Sequence, residues 1–310
     1  MSFFRIYGVK TNSKIGELFK KEQLRNQKLL ALQRSFFNLA EVLSILFYKF
    51  GLMKNNTLLL FLLCYSITIL SQERPKAYKE GEWLRFKMSY SGFLKAGNAT
   101  LTVAKDTLNG KEVFHVQGKG RTTGIIKWFF KVKDHYQSYL DIHTGKPYLF
   151  KRKINEGGYR IHRDTRFNHQ TGTAHITDFR TQKNTEVAIG DVQDMLSSFY
   201  YLRDQNISNM QPDDEISLAM FIDGTTHPFK LRFLGMETLK TRFGKIKTYR
   251  FRPLVQAGRI FKENESVTIW ISADDNKIPI KLKASLAVGS LRAELEAYKG
   301  LANSFKIQFD

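Results

Sequence analysis

Short segments in which large apolar and polar residues alternate are the feature that most constrains the fold of this chain. Trp83 to Tyr90 alternates in this way, and the dipeptide Asn109-Gly110 marks a tight turn between two further runs. In the last run, Leu291 to Ala297, apolar residues alternate with charged ones, as in an antiparallel strand with one buried and one solvated face. No linker or repeat interrupts the pattern. It predicts a mainly β fold, with one antiparallel β domain over residues 72–300.

Two segments depart from the β pattern. In Asp191 to Arg203 apolar residues recur at helical spacing, Asp191 can cap the start and Arg203 complements the C-terminus. This segment predicts a single helix embedded in the β domain. Asp194 lies among its apolar residues, and we expect its carboxylate to bond backbone groups of a neighbouring strand and so tie the helix to the sheet. The second segment, Gly124 to Phe130, is short and aromatic and favours a helical turn.

The N-terminal part of the chain has the layout of a secretory leader. Met53 and Lys54 precede an uncharged apolar run from Thr57 to Leu70, which is shorter than the roughly 20 residues of a membrane-spanning helix. We interpret residues 53–71 as a signal peptide cleaved near Ser71, which predicts an exported, periplasmic or envelope-associated protein. Residues 1–52 are then an N-terminal extension, which is either not translated or, if translated, helical or disordered. Residues 301–310 are predicted to form a C-terminal tail.

Charge and cysteine content narrow the classes of partner. The formal net charge is +20, most of it beyond Ser71, and the one cysteine, Cys64, lies inside the apolar run. The exported part would therefore contain no disulfide. A basic exported surface favours anionic lipid or an anionic envelope polymer and disfavours nucleic acid, although a coat that only keeps the protein soluble is an equal alternative.

The sequence contains no arrangement of residues that predicts catalysis. It has no phosphate-binding loop or nucleophile elbow, and its seven histidines are each alone in their segments. Asp134, His135 and Ser138 are close in sequence, but neighbours on a strand point to opposite faces. We therefore predict no catalytic residues, no metal site and no cofactor, and keep a hydrolase only as an alternative.

Several blocks of sequence resemble the DUF3108 family of exported bacterial proteins. They are Gly81-Glu82, Ala96 to Ala99, Asp134 to Tyr139, Asn155 to Tyr159, Val192 to Arg203 and Ile269 to Pro279. The resemblance covers nearly all of residues 78–298. It implies an envelope location and a single large, strongly curved antiparallel sheet, similar to the half-barrels of periplasmic lipoprotein carriers. It implies no catalytic residues.

An abundance of aromatic residues is the remaining signal for function. The chain has 25 Phe, 13 Tyr and 3 Trp. A curved sheet around one helix often leaves an apolar groove for a lipid or acyl chain. The residues predicted to contact such a ligand are Ile125, Trp128, Phe129, Phe130, Met195 and Phe199. This favours a non-enzymatic envelope protein that binds a hydrophobic or amphiphilic ligand. The alternatives are a core filled by these aromatics, and a basic module that docks to anionic envelope components or a partner protein.

Overall fold

The computed structural model describes residues 76–254, 267–286 and 289–309. The predicted extension over 1–52 and the predicted signal peptide over 53–71 lie outside these residues. The described residues form strands at every run that the alternation marks, together with two helices. The strands are β1 (Trp83–Tyr90), β2 (Leu94–Leu108), β3 (Lys111–Thr122), β4 (Lys133–Asp141), β5 (Pro147–Glu156), β6 (Tyr159–Asn168), β7 (Thr173–Asp178), β8 (Lys183–Ala188), β9 (Glu215–Ile222), β10 (Thr225–Thr241), β11 (Gly244–Pro253), β12 (Val267–Ser272), β13 (Pro279–Ser285) and β14 (Ser290–Lys299).

The described strands form one antiparallel sheet of 14 strands in the order β8-β7-β6-β5-β4-β3-β2-β1-β14-β13-β12-β11-β10-β9. Neighbouring strands in this order are also consecutive in the chain, except where β14 pairs with β1. The connection between β3 and β4 carries a short helix, and the segment between β8 and β9 carries a longer one. The predicted mainly β fold with one large antiparallel sheet is confirmed.

The sheet curves strongly, because its edge strand β9 approaches strands far from it in the order. Asp223, in the turn after β9, accepts hydrogen bonds from Arg152 of β5 and Arg163 of β6. The rings of Phe167 in β6 and Phe221 in β9 lie 5.6 Å apart, edge to face. The curved sheet predicted from the family resemblance is therefore present.

Helix α1 (Ile126–Phe129) is the helical turn predicted between β3 and β4, and α2 (Met195–Asp204) is the predicted embedded helix. The buried faces of Met195, Leu196 and Tyr200 in α2 join one large cluster with apolar side chains of β2 to β7 and β9 to β11. Helix α2 therefore occupies the concave side of the sheet.

The start of α2 corrects one prediction. Asp191 was expected to cap the helix, but its exposed carboxylate instead pairs with Lys146 at 2.9 Å. Gln193 is held in extended backbone, since its N–H donates to Ala219 and its carbonyl accepts from Phe221. The helix therefore begins later, and its N-cap is Asp194.

Candidate functional site

The two ends of the curved sheet differ in character. Because all neighbouring strands are antiparallel, the turns after β1, β3, β5, β7, β9 and β13 lie together at one end. We call this the apolar end, for reasons given next. The turns after β2, β4, β6, β10 and β12, together with residues 76–82 and 300–309, lie at the other, which we call the anchored end.

Large apolar side chains are exposed at the apolar end. Of the eight exposed large hydrophobic side chains in the described residues, six are in its turns or at the ends of the strands beside them. Trp128 is 90% exposed and Phe129 83%. The six are Phe93, Ile125, Trp128, Phe129, Tyr159 and Phe179. An exposed Trp beside exposed Phe side chains is costly in water unless another surface covers it.

The loop that carries Trp128 and Phe129 has a fixed base. The backbones of Thr122 and Val132 are hydrogen bonded, and the Val132 N–H also donates to the Thr122 hydroxyl at 2.9 Å. The ring of Phe130 lies against the turn after β5, where a Cβ on Gly157 would come within 2.4 Å of the ring. Gly157 also has a φ of 53°, which favours glycine. Phe130 therefore anchors the loop, while the two residues before it project outward.

Basic residues surround the exposed apolar side chains. Lysine or arginine is exposed beside the turns after β1, β3, β5 and β7, namely Lys95, Lys127, Lys131, Lys133, Arg160, Arg180 and Lys183. The acidic residues nearby are neutralised or turned inward. Asp178 binds Arg163 at 2.7 Å, and Asp223 binds Arg152 and Arg163. The apolar end therefore presents positive charge around an apolar centre.

A buried pair of carboxyl groups lies at the base of the same loop. Asp134 accepts a hydrogen bond from the backbone N–H of Asn155 at 3.1 Å, and its carboxyl group is hydrogen bonded to that of Glu156. Burial raises the pKa of Asp134 well above its usual range, and the neighbouring Glu156 carboxyl is the second largest cause of this rise. The raised pKa of Asp134 favours its protonated form, so the pair contributes less negative charge to this end than two carboxylates would.

The structure separates the six predicted ligand-binding residues into two groups. Ile125, Trp128 and Phe129 lie together on the exposed loop, with Phe130 beneath them. Met195 and Phe199 lie on α2, where Met195 is buried and Phe199 packs against the main core cluster.

Aromatic packing surrounds α2. Tyr200 has its ring centroid 4.6 Å from that of Tyr78 and 5.1 Å from that of Phe199, edge to face in both cases. Tyr78 in turn contacts Phe114 at 5.5 Å. These aromatics contact one another, as expected of side chains that fill a core.

The anchored end is held by a buried ion pair that sequence patterns did not reveal. Arg203 of α2 and Glu82 are 2% and 0% exposed at their side chains, and two guanidinium nitrogens donate to the two Glu82 oxygens at 2.7 Å each. Arg203 also donates to the carbonyls of Ala77 and Asn276, at 2.9 and 3.0 Å. The ion pair therefore joins α2, the start of β1 and the turn after β12. Arg203 had been expected only to complement the helix C-terminus, because Glu82 is 121 residues away in sequence.

Asp194 ties α2 to the sheet, as predicted, but it bonds the Ser138 hydroxyl of β4 and not backbone groups of the strand. One carboxylate oxygen accepts the N–H groups of Leu196 and Ser197 at 2.7 and 2.9 Å, and the other accepts the Ser138 hydroxyl of β4 at 2.5 Å. Complete burial raises the pKa of Asp194 to about 6, although these hydrogen bonds act in the opposite direction. Its role is structural.

The residues that could suggest hydrolysis do not form a catalytic triad. Ser138 is fully buried and bound to Asp194, whereas the ring of His135 contacts Gln117 on the other face of β4 at 3.0 Å. Burial lowers the pKa of His135 below its usual value. Among the residues that the structure describes, no group of three or more His, Cys, Asp or Glu side chains is placed to hold a metal ion.

The fold and the site define a class: a mainly β protein whose open, curved antiparallel sheet holds a helix on its concave side. Within this class the chain belongs to the DUF3108 family, described as a protein of unknown function, whose family model matches residues 85–296. The family resemblance seen in the sequence is confirmed. No curated protein matches the chain. Over 76–254, 267–286 and 289–309, no helix has the length and apolar character needed to span a bilayer.

Three solved structures are similar to this chain. A beta-barrel-like DUF1849 protein from Brucella abortus has 8% identity and a TM-score of 0.46, over 70% of this chain and 96% of its own. A proposed exported protein with a YmcC-like fold from Bacteroides fragilis has 10% identity and a TM-score of 0.31, over 72% and 97%. A proposed lipoprotein from Parabacteroides distasonis has 12% identity and a TM-score of 0.31, over 74% and 100%.

Proposed function

We propose that this chain is a non-enzymatic, exported envelope protein that docks its apolar end onto an anionic membrane surface. The observation that carries the proposal is the exposed loop with Trp128 and Phe129 at its tip and Lys127 and Lys131 beside them. In this proposal the amphiphile predicted from the aromatic content is the membrane lipid. It contacts the loop from outside the sheet, and Met195 and Phe199 belong to the core.

The chemistry of the apolar end matches that of a bilayer interface. A Trp or Phe side chain gains about 1.5–3 kcal/mol of favourable free energy when it moves from water into the boundary between headgroups and acyl chains. Each Lys or Arg close to an anionic surface adds about 1 kcal/mol at moderate ionic strength. Because Phe130 and the hydrogen bonds at Val132 fix the loop in the free protein, docking requires little ordering of the chain.

Tryptophan fluorescence tests this proposal at the site itself. The three tryptophans of the chain are Trp83, Trp128 and Trp270, so the segment before residue 83 contributes none. We expect vesicles of phosphatidylglycerol and phosphatidylethanolamine to shift the emission to the blue and to protect it from a soluble quencher. The Trp128→Phe variant should bind equally well and lose most of this shift. For the unchanged protein, vesicles of phosphatidylcholine alone should produce a much smaller blue shift.

A matched pair of variants tests which end docks. The double variant Trp128→Ser/Phe129→Ser should weaken binding to the anionic vesicles at least 10-fold, because it removes two inserted side chains. Phe309→Ser provides the control, since Phe309 is also exposed, at 80%, but lies at the anchored end. Equal weakening by the control, or an emission that anionic vesicles leave unchanged, would contradict the proposal.

A further inference from the structure

A continuous group of cations lies on the convex face of β3 to β6, which points away from α2. Val116, Tyr136 and Phe150 join the main core cluster, so the residues that alternate with them point outward. In the half of this face nearer the apolar end, the exposed cations are Lys119 and Arg121 of β3, Lys133 of β4, Lys153 of β5 and Arg160 of β6. We call these five residues the basic face.

The strand register places these cations close together. Arg121 lies directly opposite Lys133, and His135 lies directly opposite both Lys119 and Lys153, on the strands to either side. The spacing of strands sets the backbones of Lys119 and Lys153 roughly 10 Å apart. Like charges at directly paired positions oppose the stability of a sheet. A bound polyanion would relieve this repulsion, so the register favours an anionic partner.

Carboxylates of the same strands do not balance the charge. Asp134 and Glu156 are buried, and they alternate with the outward residues, so they point to the concave side. Asp164 lies on the convex side of β6, where it pairs with Lys151 at 3.6 Å. No carboxylate of the described residues forms an ion pair with a lysine of the basic face. These lysines are therefore available to a partner.

A pair of amide groups adjoins the basic face. Gln117 and Gln137 lie directly opposite each other. The side-chain oxygen of Gln117 accepts from the His135 ring and that of Gln137 from the His115 ring, at 3.0 Å in both cases. The His115 ring is itself stacked on Tyr139, with centroids 4.2 Å apart. These contacts hold the two amides and leave their NH2 groups as neutral donors beside the cations.

The character of this face distinguishes between classes of partner. Of the eight exposed large hydrophobic side chains in the described residues, none belongs to β3, β4 or β5. A protein partner or a bilayer is held by apolar anchors, and single-stranded nucleic acid by aromatic rings on which bases stack. A hydrated polymer that carries both anionic groups and hydroxyls needs neither, and it fits a flat surface of lysines and amides.

We infer that the basic face and the two glutamines bind an acidic polysaccharide. Its carboxylates contact Lys119, Arg121 and Lys153, and its ring hydroxyls accept hydrogen bonds from the amides of Gln117 and Gln137. Because the cations are spread over several strands, a polymer with many carboxylates makes several contacts at once, which a small anion cannot do. The surface includes neither the tip of the exposed loop nor the lysines beside it, so it stands independently of the proposed docking.

Calorimetric titration of the full chain with oligogalacturonate at low ionic strength tests the inference. We expect saturable binding that weakens as salt is added. Lys119→Gln/Lys153→Gln should weaken it by about 10-fold or more, because two close charge contacts are lost. Lys240→Gln/Lys247→Gln makes the same change of charge at exposed positions of β10 and β11, and it should stay within about two-fold of the unchanged protein. Circular dichroism confirms that each variant is folded.

A second double variant separates recognition of sugar from recognition of charge. Gln117→Ala/Gln137→Ala keeps every charge and should weaken binding of oligogalacturonate several-fold. It should leave unchanged the weaker binding of poly-L-glutamate and of oligothymidylate, which carry negative charge without a row of free ring hydroxyls.

Four results would overturn the inference. They are no binding of oligogalacturonate, equal binding by the lysine variant and its control, no effect of the glutamine variant, and binding of poly-L-glutamate or oligothymidylate as tight as that of the sugar. The last result would indicate a general surface for polyanions, nucleic acid included. The Trp128 emission measurement uses lipid without sugar, so failure of docking and failure of this surface are distinguishable.

Discussion

The two ends of the sheet are built from the same kinds of residue and use them in opposite ways. At the anchored end, the charged side chains of Arg203 and Glu82 are buried and hydrogen bonded to each other, and Arg203 also donates to two backbone carbonyls. At the apolar end, Trp128 and Phe129 are exposed and lysines surround them. Burying charge and exposing aromatics both carry a free-energy cost. The first arrangement fixes the fold, whereas the second leaves a surface whose cost is relieved only by contact with another surface.

The anchored end also includes the C-terminal segment. The backbones of Lys245 and Gln308 exchange two hydrogen bonds of 2.8 Å, and Phe305 and Ile307 pack against a second core cluster that contains Ile246 and Ile278. The predicted tail is thus attached to the sheet. If this comparison is right, substitutions of the buried charged and polar side chains at the anchored end lower stability, and substitutions of the exposed side chains at the apolar end do not.

The largest effect is expected at the buried ion pair. Arg203→Met leaves the Glu82 carboxylate buried without its partner, which should lower the free energy of unfolding by roughly 3–5 kcal/mol. Arg85→Ala is the control, because it breaks an ion pair with Glu296 whose side chains are 43% and 27% exposed, and it should cost no more than about 1 kcal/mol. Urea denaturation measures both. If both variants lost similar amounts of unfolding free energy, the buried ion pair would have no special role in holding the anchored end.

The next effect is a pH dependence that arises from Asp194. Its folded pKa of about 6 exceeds the ordinary value of 3.8, so the folded state binds its proton more tightly than the unfolded state. The stabilisation that follows is fully present below about pH 4 and is lost as the pH rises through about 6, amounting to about 3 kcal/mol.

The variant Asp194→Asn isolates this contribution. Asn is also a good N-cap and does not titrate, so the difference in unfolding free energy between the two proteins should change over pH 4–6 and stay flat above pH 7. A difference independent of pH would show that Asp194 ionises in the folded protein as it does in solution.

A smaller effect is expected at Asn276. This fully buried side chain donates to the carbonyls of Asn303 and Ser304, at 3.0 and 3.2 Å, and accepts the N–H of Asn303 at 2.8 Å. Asn276→Ala leaves these backbone groups without partners and should cost about 1–3 kcal/mol. Thermal unfolding should show the loss. Asp275→Ala, at the exposed neighbouring position, should leave the midpoint nearly unchanged.

The smallest effect on stability is expected at the apolar end. Trp128→Ser/Phe129→Ser should change the free energy of unfolding by less than about 0.5 kcal/mol, since both side chains are exposed. Phe130→Ser should cost more, because the Phe130 ring packs against Gly157. Urea denaturation of the three proteins compares the roles of neighbouring residues in one loop. Equal losses would show that the exposed pair also supports the fold.

The strands and hairpins could be predicted from the sequence because they depend on local alternation and on turn residues such as Asn109-Gly110. Sequence reasoning placed α2 within a few residues, and it missed the N-cap because extended pairing of Gln193 with β9 delays the helix. It grouped Phe130 with Trp128 and Phe129, since composition alone does not distinguish a residue that anchors a loop from those at its tip.

The sequence by itself determined the mainly β architecture, the position of one amphipathic helix and the aromatic, basic character of the segment after β3. Only the tertiary structure decided that Glu82 meets Arg203, that Arg252 lies opposite Arg232 on the neighbouring strand, and that Trp128 is exposed while Phe130 is half-buried against the turn after β5. The reason is physical. Strand and turn preferences act over a few neighbouring residues, whereas ion pairing, register and burial depend on which distant strands the curvature of the sheet brings together.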